Sequence, residues 1–159
     1  MSFLSGLFKK KRVFTEGSVI VSEGWIRGVG LQYFPEGTIT LRDRTYFALQ
    51  ESKLESFVNR YYDKELWNMG YHQNGEEFPD CDDFARIAIG SILRGAAKEG
   101  FRYAPLFGTV VYTTKKKERH MACFGIASSG EARLFEPQNG QWQEIINTIG
   151  PGWTTEAEV

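Results

Sequence analysis

The chain has 159 residues, 42% of them hydrophobic and 14% aromatic, which favours one domain with an ordinary core and excludes a disordered chain. Nineteen Lys and Arg against twenty Asp and Glu leave a formal charge of −1, so no field attracts polyanions and no nucleic-acid partner is expected. Two cysteines exclude a disulfide-stapled scaffold, and no apolar run nears the ~20 residues that span a bilayer.

Residues 1–14 read as a basic amphipathic arm: Phe3, Leu4, Leu7 and Phe8 precede Lys9, Lys10, Lys11 and Arg12. A secretory signal carries its charges before the apolar stretch, so this order points to a cytoplasmic chain. The arm is expected to be solvated or docked on a partner, with weak contact of residues 3–12 to an anionic membrane surface as the alternative. Residues 15–159 then form a single domain.

Residues 13–50 read as extended structure with turns: Val19, Ile20 and Val21 lie in a β-prone run, and Thr38 to Leu41 alternate as a half-buried strand does. Gly28-Val29-Gly30 reads as a turn, because a dinucleotide loop needs a third glycine and a following helix. Ser52-Lys53-Leu54-Glu55 has the spacing of a capping box, and Leu54, Phe57, Val58 and Tyr61 predict a helix over 53–62. A polar loop runs from Asn68 to Pro79 and holds His72, Gln73 and Asn74.

A second helix opens at Pro79 or Asp80 and ends at Gly100; its first turn holds Cys81, Asp82 and Asp83. Cys81, Ala85, Ala88 and Ile92 share one face, which Phe84, Ile87 and Leu93 broaden. Residues 106–113, 119–127 and 131–136 predict an antiparallel meander, followed by a turn from Glu136 to Gly140 with Trp142 covering its apolar side.

A thiol becomes a nucleophile as thiolate, and a helix N-terminus favours that anion, which singles out Cys81. The thiolate needs a base held by a third polar group. His120 lies on the second strand of the meander and Glu136 ends the third. A three-residue loop at 127–129 sets His120 opposite Glu136; a loop at 128–130 sets Ala122 there and makes His120 its diagonal neighbour. Either register leaves the two side chains on one face with Cβ atoms about 5–8 Å apart. Glu136 then accepts from Nδ1 of His120 and leaves Nε2 for the nucleophile. Taken singly, Cys81 reads as a small buried hydrophobe, His120 as a structural residue and Glu136 as a turn carboxylate.

The runs Asp80-Cys81-Asp82-Asp83-Phe84-Ala85, His120-Met121-Ala122-Cys123-Phe124 and Leu134-Phe135-Glu136-Pro137-Gln138-Asn139-Gly140 resemble the papain-like cysteine peptidase superfamily, over residues 45–142. Within it they are similar to the protease-domain family of the fairy-ring mushroom agglutinin, and Asp80-Cys81-x-x-Phe84 also looks like bacterial cell-wall peptidases. The resemblance implies an α+β, papain-like fold, with a helix carrying Cys81 packed on an antiparallel β-sheet carrying His120 and Glu136. It implies a calcium-activated cysteine hydrolase acting on a peptide or protein substrate, with Cys81 as nucleophile, His120 as base and Glu136 as orienting acid. Calcium ligands would be Asp82, Asp83 and Glu77. The oxyanion glutamine of that family falls at Gly75 here, so Gln73, Asn74 or the backbone N–H of Cys81 would take its place, and Gln138 would touch substrate. Acyl transfer or deamidation of the transglutaminase type is the competing chemistry, and a catalytically inactive interaction module the competing role.

Overall fold

The structure, a computed structural model, describes Phe14 and residues 16–34, 38–62, 80–114, 118–145 and 154–159, the side chains of 154–157 apart. In chain order the elements are β1 (Val19–Ser22), α1 (Glu23–Tyr33), β2 (Thr38–Thr40), β3 (Thr45–Ala48), α2 (Glu51–Tyr61) and α3 (Cys81–Glu99). They are followed by β4 (Phe107–Thr113), β5 (Arg119–Ile126), β6 (Ala132–Glu136), β7 (Gln141–Glu144) and β8 (Thr154–Glu158). The class is α+β, and none of these helices is long and apolar enough to cross a membrane. Residues 3–12, the Pro35–Gly37 turn, the 68–79 loop with His72, Gln73, Asn74, Gly75 and Glu77, and the Lys115–Lys117 turn lie outside the described residues.

The predicted meander is present as β4-β5-β6 and continues into β7. Its six-stranded sheet has the order β2-β8-β4-β5-β6-β7, antiparallel except for the β2–β8 pair. Side chains alternate across it. One face carries Ala122, Phe124 and Leu134, packed with Ile26 and Phe34, whose ring meets Phe124 edge-on at 5.5 Å. The other carries Phe107, Cys123 and Phe135 beneath α2 and α3. Trp142 lies against Phe135 with ring centroids 5.2 Å apart, as its place after the turn suggested. Each fully buried Phe or Leu in these layers contributes about 1.5–3 kcal/mol by leaving water.

Helix α3 is fixed at both ends by its sequence. The Asp80 carboxylate accepts from the backbone N–H of Asp82 and Asp83 while Asp83 accepts from the N–H of Asp80, a reciprocal capping box. Gly100 closes the helix at φ 70°, a left-handed conformation that glycine adopts without strain. Phe84, Ala85, Ala88, Ile92 and Ala96 are buried on its inner side. Leu93, expected to broaden that surface, is instead 45% exposed.

Two local expectations are corrected. Residues 23–33 form a helix, not a glycine-broken extended run: Ser22 caps it by accepting from Trp25 N–H at 3.5 Å. Gly30 packs closely on Ile39: a Cβ on it would meet Cδ1, the movable end of that side chain, at 2.3 Å. Helix α2 begins at Glu51 with Gln50 as its cap residue and no side-chain cap bond. Ser52 therefore lies inside the helix, where its carbonyl accepts from the Ser56 hydroxyl, and Glu55 pairs with Arg133 instead of closing a box.

Candidate functional site

Cys81 is the first residue of α3, partly exposed, and lines one cavity with His120 of β5, whose protonation it favours. On its other side His120 meets Glu136 at the end of β6, Nε2 to Oε2 at 2.7 Å. The three residues that the sequence singled out are thus brought together at one site. The β5–β6 hairpin uses the 128–130 loop: Cys123 pairs with Phe135 and Phe124 with Leu134, so the register sets Glu136 beside Ala122 and diagonal to His120.

The nitrogen assignment expected above is reversed. Glu136 takes Nε2 of His120, not the Nδ1 expected for it. The His120 and Glu136 side chains retain 19% and 12% of their exposure. Burial works against charge on the ring, but the hydrogen bonds to Cys81 and Glu136 and the negative charge of both outweigh it and lift His120 to about 9. At neutral pH the ring is an imidazolium between two acidic groups.

Glu136 is itself held. The backbone N–H of Gln138 donates to its Oε1 at 3.2 Å, and the turn that follows is closed by Gly140 N–H on the Glu136 carbonyl at 2.7 Å. The Tyr62 hydroxyl at the end of α2 donates to the carbonyl of Pro137. Gln138 therefore acts on the carboxylate through its main chain, while its side-chain Nε2 is buried without a hydrogen-bond partner among the described residues.

Tyr112 on β4 is a site residue that the sequence reading missed. It pairs with His120 across the β4–β5 hairpin, and its ring stands edge-on to the imidazole, 5.5 Å between centroids at 88°. Burial, followed by the charges of Glu136 and Cys81, pushes its hydroxyl up to about 12, so it stays neutral. The pairing follows once the hairpin loop is closed by Thr114 N–H on the Glu118 carbonyl, a register that the lysine run alone does not specify.

The second cysteine is different in kind. Cys123 is fully buried under α3, its Sγ faces the Ala85 carbonyl at 3.6 Å, and burial pushes its thiol well above the ordinary range. The contrast separates a packing thiol from one that opens on a cavity of about 330 Å³, lined with Cys81 by Arg86, His120 and Met121. A larger open cleft of about 500 Å³ near Gln50 and Ser128 contains neither thiol nor imidazole.

Asp80, Asp82 and Asp83 bring their oxygens within 4.8 Å of one another. Their lone pairs serve the protein itself: Asp80 and Asp83 close the capping box, and Asp82 pairs with Arg86 at 2.5 Å. The hydrogen bond to Asp80 and burial raise Asp82, whereas the same bond holds Asp80 low, as expected when two carboxylates share a proton. Among the described residues this donor set does not fit calcium, which takes six to eight oxygens. The pairing also offsets the negative charge of Asp82 beside Cys81.

No family model and no curated protein matches the chain. Among solved structures it is similar to PSL1a in its complex with E64, with a TM-score of 0.67 at 17% identity, covering 88% of this chain and 50% of that one. It is similar also to the Polyporus squamosus lectin bound to the human-type influenza-binding epitope Neu5Aca2-6Galb1-4GlcNAc, with a TM-score of 0.67 at 15% identity, covering 88% and 49%. The chain thus spans about half the length of the solved chains it matches, and at such identity the likeness is one of fold. These matches correct the expected assignment to the papain-like cysteine peptidases, including the protease-domain family of the fairy-ring mushroom agglutinin: the neighbour named by type is a lectin. The labels of cysteine hydrolase and cysteine peptidase fall with it, and of the expected fold the structure bears out the α+β class with its antiparallel sheet.

Proposed function

We propose that the chain carries a nucleophilic thiol centre that takes an acyl group from an amide onto Sγ of Cys81. The observation that supports this most is the placing of Cys81 and His120 on one cavity, with Glu136 2.7 Å from Nε2 of that ring. In the first step the Cys81 thiolate attacks the carbonyl carbon, an S–C bond forms, and the carbonyl electrons move to oxygen. Collapse breaks the C–N bond, and the leaving amine takes the proton of the His120 imidazolium. An acceptor amine then attacks the thioester, a C–N bond forms, the S–C bond breaks to return the Cys81 thiolate, and neutral His120 takes the acceptor proton.

The capping box engages the N–H groups of Asp82 and Asp83, and Phe84 N–H bonds to the Asp80 carbonyl. Among the described residues, the Cys81 N–H is the first-turn donor that this cap leaves for an oxyanion. Glu136 keeps the ring oriented and charged, and Gln138 keeps Glu136 oriented. Tyr112 covers one side of the imidazole and limits water there.

The test is acylation of the full chain by p-nitrophenyl acetate, read by intact mass and peptide mapping. An acetyl group on Cys81, removed by hydroxylamine and moved to added methylamine, supports the reading. Acetyl only on lysines, in wild type and Cys81→Ala alike, refutes it. A second reading takes its lead from the glycan of the second neighbour: a carbohydrate ligand for this chain. Calorimetric titration with Neu5Acα2-6Galβ1-4GlcNAc tests it, and saturable heat is the supporting result.

A further inference from the structure

The cavity at Cys81 does not end there. Arg86 and Met121 line it and also line a second cavity of about 530 Å³, a size usual for small-molecule sites. Helix α3 forms one wall of this groove through Arg86, Ile89 and Leu93, and β4 forms the other through Phe107 and Gly108. Arg86, Ile89 and Leu93 recur at helical spacing, so they make one stripe leading away from the thiol.

Leu93 is 45% exposed at the far end of that stripe. A single exposed leucine needs no explanation, but one that extends an apolar groove open to a reactive centre has a use. Charge narrows the occupant. Both arginines at the groove are ion-paired, Arg86 with Asp82 and Arg42 with Glu158, so neither offers an open cation to an anionic group. Asp43 lies at the Arg42 end, and the apolar middle of the groove along Ile89, Leu93, Phe107 and Met121 fits a neutral hydrocarbon group.

We propose that this groove receives a neutral apolar substituent of the acyl donor whose carbonyl is attacked at Cys81. The inference rests on the reading of Cys81 as nucleophile, and it adds a substrate class: acyl groups with an aliphatic or aromatic arm, selected by Met121, Ile89 and Leu93.

The experiment compares iodoacetamide with N-hexyl iodoacetamide on the full chain, following Cys81 alkylation by intact mass and peptide mapping. In both reactions Sγ displaces iodide, an S–C bond forms and the C–I bond breaks, so only the hexyl arm differs. The hexyl reagent is expected to react faster and to saturate. Leu93→Glu is expected to reduce the hexyl-to-parent rate ratio by about tenfold, the worth of one leucine-sized apolar contact. Leu93→Lys, of opposite charge, is expected to give the same loss, and matching circular dichroism reports that the fold is kept. Equal rates for the two reagents in wild type, or a preference that survives both substitutions, overturn the groove assignment while leaving the nucleophile intact. No alkylation of Cys81 by either reagent overturns the reading beneath it.

Discussion

Glu136→Gln keeps the shape of the side chain and an acceptor oxygen for His120 but removes the negative charge 2.7 Å from Nε2. Burial alone pulls His120 below its ordinary 6.5, and Cys81 and Glu136 together carry it to about 9. An opposite charge at this range is worth about 1–3 pKa units, or about 1.4 kcal/mol each, so the substitution should lower His120 by that amount. The Cys81 contact persists, which keeps the ring from falling to the value of an isolated buried histidine. The chain has two histidines, so a carbon-13 NMR titration of the imidazole Cε1 signals resolves them, with His72→Gln fixing the assignment. Wild-type His120 titrating near 6.5, or the variant titrating where the wild type does, would refute the electrostatic account of the site.

Three further outcomes follow from the same geometry. Because His120 is raised in the folded state, its charged form stabilises the fold fully below pH 6.5 and that gain disappears as pH rises through about 9; urea midpoints between pH 6 and 10 should fall accordingly, and less in Glu136→Gln. Asp80→Ala removes the cap of the helix that presents Cys81 and should cost about 0.5–2 kcal/mol in urea unfolding, with slower Cys81 alkylation. Gly95→Ala should lose about 1–3 kcal/mol by overpacking, despite the roughly 1 kcal/mol by which alanine favours a helix, because its Cβ would meet Tyr61 Cγ at 2.3 Å where α2 crosses α3.

The parts of the fold legible in the sequence were those set by local chemistry. Asp80 and Gly100 bound α3 because a carboxylate cap and a left-handed glycine act within one turn of the chain. The β5–β6 register was legible to within one choice of loop, and the three-residue loop placed Glu136 on the face of His120. Helix α1 was not legible: Gly24, Gly28 and Gly30 weaken its propensity, and tertiary packing of Ile26 and Gly30 supplies what propensity lacks. Nor could β8 be read, since its two-sided pairing with β2 and β4 joins distant segments. At the site, Cys81, His120 and Glu136 were named from spacing, but which ring nitrogen faced which partner depends on side-chain rotation that strand alternation does not fix. Tyr112 was missed for want of the β4–β5 register. The family likeness went further than these residues carried it.

The measurement that tests the account most directly is the site of iodoacetamide labelling under native conditions at pH 7, located by peptide mapping. Cys81, partly exposed and paired with His120, is expected to be carboxamidomethylated while Cys123, buried beneath α3, is not. In Glu136→Gln the labelling of Cys81 should slow. Equal labelling of the two thiols, or a Cys81 rate indifferent to both His120→Ala and Glu136→Gln, would contradict an activated thiol at this helix end.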